Sequence, residues 1–192
     1  MSESDDQCLL AKAEAFHSIA AEWLRAGNSE RANAAFAKAR ELAGSVQSLP
    51  IGKVSVLASI AEAESAGGLA ATSQETLANT LQIAAHLPLA SLPASQRRSA
   101  TALMAHNRLA AYQEIFAVAM RAHDLGTARH IADLWAAADP RGRGDIVRAW
   151  IAAGKPEEAL AFARRIPNVV ARAHTELVLA QEMLNRAGAP NI

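Results

Sequence analysis

The feature that most constrains this chain is a helix end that occurs five times. Alanine precedes the residue that closes each helix, in the pairs Ala26-Gly27, Ala66-Gly67, Ala122-His123, Ala153-Gly154 and Ala187-Gly188. Glycine closes many helices because it adopts a left-handed backbone without strain. Alanine, the best helix former, supplies roughly a quarter of the residues. Residues that favour strands show no alternation with period two, so the sequence predicts an all-α protein.

Apolar residues at fixed offsets flank these helix ends. In the first unit Phe16, Ile19, Ala20 and Trp23 precede Gly27, whereas Ala32, Phe36 and Ala39 follow it, with Ser29 as the predicted N-cap of the second helix. The fourth unit has the same arrangement in Val147, Trp150, Gly154, Ala159 and Ala163. Short connections of this kind join antiparallel helices. Each unit is therefore predicted to be a helical hairpin.

The spacing of the helix ends predicts one helical-repeat domain over residues 1–192. Its approximate repeats cover residues 8–50, 51–93, 95–140 and 141–167, and a final helix covers residues 168–188. Pro88 and Pro93 bracket a predicted loop. Residues 95–122 form either one long helix or two. A break near His106 and Asn107 is favoured because asparagine is a poor residue for a helix interior.

The residues of the first and fourth units resemble the pattern of the tetratricopeptide-repeat (TPR) family. That pattern has large, small and aromatic residues on the first helix, and alanine, a bulky residue and alanine on the second. The resemblance implies an α-solenoid of antiparallel hairpins, wound into a right-handed superhelix with a concave surface and a C-terminal capping helix. Other α-solenoids and an irregular helical bundle are alternatives that the residues leave open.

The same resemblance implies which residues face the concave surface. They lie 10, 9, 6 and 2 positions before each helix end, and the polar ones that we select as partner-binding residues are His17, Arg25, Gln113, Glu114, Arg121, Asp145 and Arg148. In the second unit, counted from Gly67, the same offsets give Leu57, Ala58, Ala61 and Ser65. Such a mixed surface suits a peptide or helix with apolar and charged anchors. We therefore expect an interaction scaffold or adaptor rather than an enzyme.

Two other functions were weighed against this one. His106, His123, Asp124 and His130 would have to serve a metal-dependent helical hydrolase of the HD kind, but zinc needs three or four ligands, and His123 lies at a helix end. The arginines around residues 141–148 and 164–172 would serve a nucleic-acid binder, but the aromatic residues that read bases are few. The sequence thus predicts no catalytic residue, no metal and no cofactor, and the hydrolase and the nucleic-acid binder remain the alternatives to a scaffold.

Charge and composition add expectations about location and self-association. Residues 1–96 carry 6 Lys and Arg against 10 Asp and Glu, whereas residues 97–192 carry 13 against 9. This asymmetry is compatible with head-to-tail association. The single cysteine, Cys8, and the absence of a signal sequence or long apolar run predict a cytoplasmic protein that does not enter a membrane. Many Ala and Arg residues with few Lys are typical of GC-rich bacterial genomes.

Overall fold

A computed structural model describes residues 3–87 and 97–188, and it describes residues 97–106 and 188 by their backbone alone. Within these ranges the secondary structure is entirely helical, which confirms the predicted all-α class. The helices are α1 (Glu3–Arg25), α2 (Ser29–Ser45), α3 (Pro50–Ala66), α4 (Ala70–Ala85), α5 (Arg97–Arg121), α6 (Leu125–Ala138), a 3₁₀ turn (Pro140–Gly142), α7 (Arg143–Ala152), α8 (Pro156–Arg164) and α9 (Val169–Gly188). None of them is both long and apolar enough to span a membrane.

Three of the predicted helix ends have a left-handed backbone, and one prediction is corrected. The φ angle is 74° at Gly27, 57° at His123 and 71° at Gly154. In the second unit the left-handed residue is Gly68, with φ of 80°, whereas Gly67 has φ of −82°. The repeat register of α3 therefore shifts by one residue from the predicted one.

Helix α5 corrects the predicted break near His106 and Asn107, because it runs without interruption from Arg97 to Arg121. The helix propensity of asparagine is less favourable than that of alanine by only about 0.7 kcal/mol. The same helix buries Tyr112, Ile115 and Phe116, and the burial of each large side chain is worth about 1.5–3 kcal/mol. Packing therefore outweighs local propensity. The loop predicted between Pro88 and Pro93 lies outside the described residues.

The N-cap of α2 is also corrected, because Asn28 rather than Ser29 supplies it. The Asn28 side chain accepts a hydrogen bond from the backbone N–H of Arg31 at 3.1 Å. Ser29 is the first residue inside the helix. Asparagine fits both roles here, since its backbone N–H also donates to the Trp23 carbonyl and closes α1.

The chain divides into two compact units, residues 1–128 and residues 129–192. In the first unit α1 packs against α2 and α3 packs against α4, and α3 also contacts both α1 and α5. In the second unit α7, α8 and α9 pack against one another. The prediction of one repeat domain stays a prediction.

Small residues allow the helices to approach closely. Fully buried alanines occur in both units: Ala13, Ala20, Ala32, Ala39, Ala43, Ala58, Ala61, Ala84, Ala119 and Ala128 in the first, and Ala132, Ala159 and Ala163 in the second. Larger side chains, such as Phe36 in the first unit and Trp150 in the second, fill the remaining space and are equally buried. The repeat offsets thus correctly identify core residues on the second helices, α2 and α8.

Candidate binding cleft

An open cleft of about 720 Å³ lies between α1 and α3 in the first unit. Its α1 wall consists of His17, Ala21, Leu24 and Arg25, and its α3 wall of Ser59, Glu62, Ala63, Ala66 and Gly67, with Ser29 at one end. The apolar part comes mostly from small side chains. The polar part carries both charge signs together with an imidazole.

The two walls share two repeat offsets and differ by one position at the third. On α1, His17, Ala21 and Arg25 lie 10, 6 and 2 positions before Gly27. On α3, the residues 9, 6 and 2 positions before Gly68 are Ser59, Glu62 and Ala66, and all three line the cleft. Steps of three or four residues place side chains on one face of a helix. Each helix therefore presents one stripe to the same cleft.

The predicted concave residues of the second unit are wrong, because they were counted from Gly67. Leu57, Ala58 and Ala61 are buried in the core, with exposed fractions of 0–1%. One residue along a helix turns the side chain by about 100°. When the offsets are counted from Gly68, the offset of six gives Glu62, which lines the cleft. The sequence analysis missed this residue.

Gly67 allows the two walls of the cleft to contact each other at the end of α3. A Cβ atom at this position would collide with Cδ1 of Leu24. The glycine therefore lets the Leu24 side chain lie directly against the end of α3, where both residues line the cleft. Gly67 is thus needed for contact between the walls, whereas Gly68 provides the left-handed turn.

Glu62 and Arg121 form a bidentate ion pair beside the cleft. Arg121 Nε donates to Glu62 Oε1 at 2.6 Å and Nη2 donates to Oε2 at 2.8 Å. The hydrogen bonds and positive charge of Arg121 lower the pKa of Glu62 and hold it as a carboxylate. The predicted residue Arg121, on α5, therefore lies against the α3 wall.

His17 is the half-buried titratable group of the cleft. Burial lowers its pKa, while a hydrogen bond with the Ser59 backbone and the negative charges of Glu14 and Glu62 act in the opposite direction. The imidazole ring lies 6.3 Å from the ring of Phe36, centroid to centroid. His17 therefore lies between the polar cleft and the core of the first hairpin.

The remaining predicted residues fall into two groups. On α5, Glu114 accepts a hydrogen bond from the Ser55 hydroxyl of α3 at 2.8 Å, and Gln113 is exposed. Asp145 and Arg148 belong to the second unit, where they pair with each other along α7 at 2.5 Å. The first unit thus brings together the predicted residues of α1 and α5 through contacts with α3.

The residues of the hydrolase alternative have structural roles or exposed positions. His123 is an exposed left-handed helix end. Asp124 caps α6, because its carboxylate accepts hydrogen bonds from the backbone N–H and the hydroxyl of Thr127. His130 is exposed, and the side chain of His106 lies outside the described residues. Among the described side chains, no three His, Cys, Asp or Glu residues lie close enough to hold a metal ion.

Two of the arginines of the nucleic-acid alternative lie at a second cleft of about 420 Å³ in the second unit. Arg143 and Arg165 line it together with Asp133 and Phe162. Arg165 donates to Asp133 at 2.9 Å, so one of the two positive charges is already neutralised. The other arginines of that alternative, among them Arg141, Arg148 and Arg164, are not among the residues that line this cleft.

No protein-family model, no curated protein and no solved structure matches this chain. The resemblance to tetratricopeptide repeats therefore depends on the residues named above. The arguments for a function come from the α1–α3 cleft itself.

Proposed function

We propose that this protein is a TPR-like α-solenoid scaffold that binds a peptide or helical segment of another protein in the α1–α3 cleft. The observation that carries the proposal is that the residues six and two positions before the left-handed glycine line one cleft on both α1 and α3. Stacked hairpins bury their small-residue faces and leave such a surface on their first helices. The packing of α3 against both α1 and α5 supports this arrangement.

The lining indicates which ligand would fit. Ala21, Ala63 and Ala66 leave room for an apolar side chain between the helices. Arg25 pairs with Glu22 on the same helix, and Glu62 pairs with Arg121, and all four side chains are substantially exposed. Exposed ion pairs contribute only about 0–1 kcal/mol, so a ligand's own charges can replace them at little cost. The proposed ligand is a segment with an apolar anchor flanked by charged residues.

The test is a selection of peptides from a displayed library, followed by measurement of affinity in solution. Ala66→Trp fills the cleft from an exposed position at the end of α3. Ala37→Trp is the matched control, because Ala37 is an exposed alanine of α2 that does not line the cleft. We expect the selected peptides to bind the wild type and Ala37→Trp equally and to bind Ala66→Trp at least about tenfold more weakly. Equal binding to both variants would contradict the proposed site.

The charged residues are tested separately. Arg25→Glu reverses a charge in the cleft, and Lys12→Glu makes the same change elsewhere on α1. Peptides with acidic anchors should lose affinity only for Arg25→Glu, and the difference should shrink as salt screens the charges. Arg148→Glu tests the predicted partner-binding role of Arg148, which belongs to the second unit. The proposed role is non-catalytic. The proposed location is the cytoplasm.

A further inference from the structure

Helix α9 carries an unusual group of exposed apolar side chains. Their exposed fractions are 65% for Val169, 79% for Val170, 66% for Leu177, 49% for Met183 and 67% for Leu184. Elsewhere in the described part of the chain, Ile19 is the other large apolar side chain with comparable exposure. A contiguous exposed apolar patch marks an interaction surface. A capping helix would instead have a polar outer face.

The exposed residues of α9 follow a heptad. Val170, Leu177 and Leu184 are seven residues apart, and each is followed three positions later by an exposed alanine: Ala173, Ala180 and Ala187. These six residues, which we call the α9 seam, occupy the a and d positions of a coiled coil. No seam residue is charged. Other residues of α9, including Thr175 and Leu179, are buried in the unit in which α9 packs against α7 and α8.

We infer that the α9 seam binds the α9 seam of a second copy of this chain in antiparallel orientation. That alignment places Val170 of one copy against Ala187 of the other, Leu177 against Ala180, and Leu184 against Ala173. Every layer then combines one large and one small side chain, so the two helices can remain at a constant distance. The arrangement is two-fold symmetric, because both copies use the same residues.

A parallel pairing fits the same residues less well. It would stack valine or leucine on its own copy in one layer and alanine on alanine in the next. The alanine layers would then leave voids, and voids are unfavourable because contacts are lost. An antiparallel pair also sets the two helix dipoles in opposite directions. Shape and dipoles therefore select the same orientation.

The size of the seam indicates the strength of the dimer. From Val170 to Ala187 it covers a helix length of roughly 26 Å. One helix from each copy buries less than the roughly 1,600 Å² of a standard stable interface. The dimer should therefore be reversible, with a dissociation constant on the order of micromolar.

Sedimentation velocity over a range of concentrations tests the dimer. The wild type should shift from monomer to dimer, and Leu177→Glu should weaken the association more than about tenfold, because it places two carboxylates near the symmetry axis. Asn185→Glu is the matched control, since it adds the same charge at an exposed position of α9 outside the seam. Circular dichroism verifies that all three proteins are folded. A wild type that stays monomeric up to about 1 mM, or a dimer that Leu177→Glu leaves intact, would overturn the inference.

Cysteine cross-linking tests the orientation. The exposed Cys8 is first replaced by serine, and Ala173→Cys and Leu184→Cys are made in that background. In an antiparallel dimer a mixture of the two variants forms a disulfide between them, whereas neither variant alone forms one, because its two thiols are too far apart. Cross-linking of Leu184→Cys to itself would overturn the antiparallel arrangement. The seam and the α1–α3 cleft share no residue, so either proposal can fail without the other.

Discussion

Gly142 shows how closely single residues are packed in the second unit. It is buried, and a Cβ atom at this position would collide with Nε1 of the Trp135 indole. Trp135 is itself only 5% exposed, so the ring has little room to move. We expect Gly142→Ala to lower the free energy of unfolding by about 1–3 kcal/mol, as overpacked cores do. Chemical denaturation measures this change.

Gly44→Ala is the matched control for Gly142→Ala. Gly44 is an exposed residue of α2 with no atom within 4 Å of an added Cβ. Alanine should therefore stabilise the protein there by about 0.5–1 kcal/mol, because it reduces the backbone entropy lost on folding. If the two substitutions changed stability equally, the packing against Trp135 would not be the cause.

Glu64 and Glu62 lie two residues apart on α3 and have opposite pKa shifts. Burial raises the pKa of Glu64 above the ordinary 4.5, although Thr76 and Arg40 donate hydrogen bonds to its carboxylate. Arg121 lowers the pKa of Glu62 below the same value. The stability linked to Glu64 is fully present below pH 4.5 and is lost as the pH rises through its folded pKa. The stability linked to Glu62 is present above pH 4.5 and is lost as the pH falls.

Two substitutions separate these contributions. Relative to the wild type, Glu64→Gln should gain stability as the pH rises above 4.5, because it lacks the buried charge. Glu62→Gln should instead become more similar to the wild type as the pH falls from 4.5 through the lowered pKa of Glu62, because Glu62 then becomes protonated. Denaturation curves at several pH values measure both slopes. Equal slopes for the two variants would contradict the assignment.

Single residues also show where sequence reasoning was limited. The helix ends at Gly27, His123 and Gly154 were identified correctly, and all three residues have a left-handed backbone. The doublet of Gly67 and Gly68 offered two candidates, and the local sequence does not distinguish between them. Tertiary contact decides, since Gly67 lies against Leu24 on another helix.

At the scale of helices, the cap of α2 can be tested directly. Asn28→Ala should lower the free energy of unfolding by about 1 kcal/mol, because it leaves the Arg31 N–H without its side-chain acceptor. Ser29→Ala should change stability by less than about 0.5 kcal/mol, as is typical of exposed positions. Thermal and chemical denaturation of both variants measure the difference. A larger effect of Ser29→Ala would restore the sequence-based prediction.

Helices were predicted well where their signals are local and poorly where they are not. The start of α8 has a local signal in Pro156, Glu157 and Glu158, because proline and acidic residues favour the first turn of a helix. Asn107 suggested a break in α5 that long-range packing overrides. The apolar outer face of α9 shows a period of seven, but only the structure shows that this face is exposed rather than buried.

At the scale of the whole molecule, the sequence predicted the helical class and part of the α1 wall of the cleft. His17, Arg25 and Arg121 were selected from repeat offsets, and the structure places them in or beside the α1–α3 cleft. Glu62 was missed because an error of one residue in register turns a helix to another face. Even when the offsets are counted from Gly68, the offset of ten gives Ala58, which is buried, so the offsets alone do not define the cleft.

The two proposed surfaces lie in different compact units, and this leads to a prediction for the intact protein. Ala66→Trp should weaken peptide binding at least about tenfold without changing the dimer, and Leu177→Glu should weaken the dimer without changing peptide affinity in solution. Sites that share no residues act independently in most proteins. Sedimentation velocity and peptide titration of the wild type, of both single variants and of the double variant measure all four combinations.

The wild type and Leu177→Glu should leave the surface at different rates when the peptide is attached to it densely. A wild-type dimer carries two α1–α3 clefts, so a copy that releases one peptide is held by the other and rebinds quickly. Leu177→Glu carries one cleft per molecule and should leave the surface faster, although its affinity for free peptide is unchanged. Surface plasmon resonance at low and high peptide density measures the effect. If the two proteins left the dense surface at the same rate, dimerisation through α9 would contribute nothing to how the cleft holds its partner.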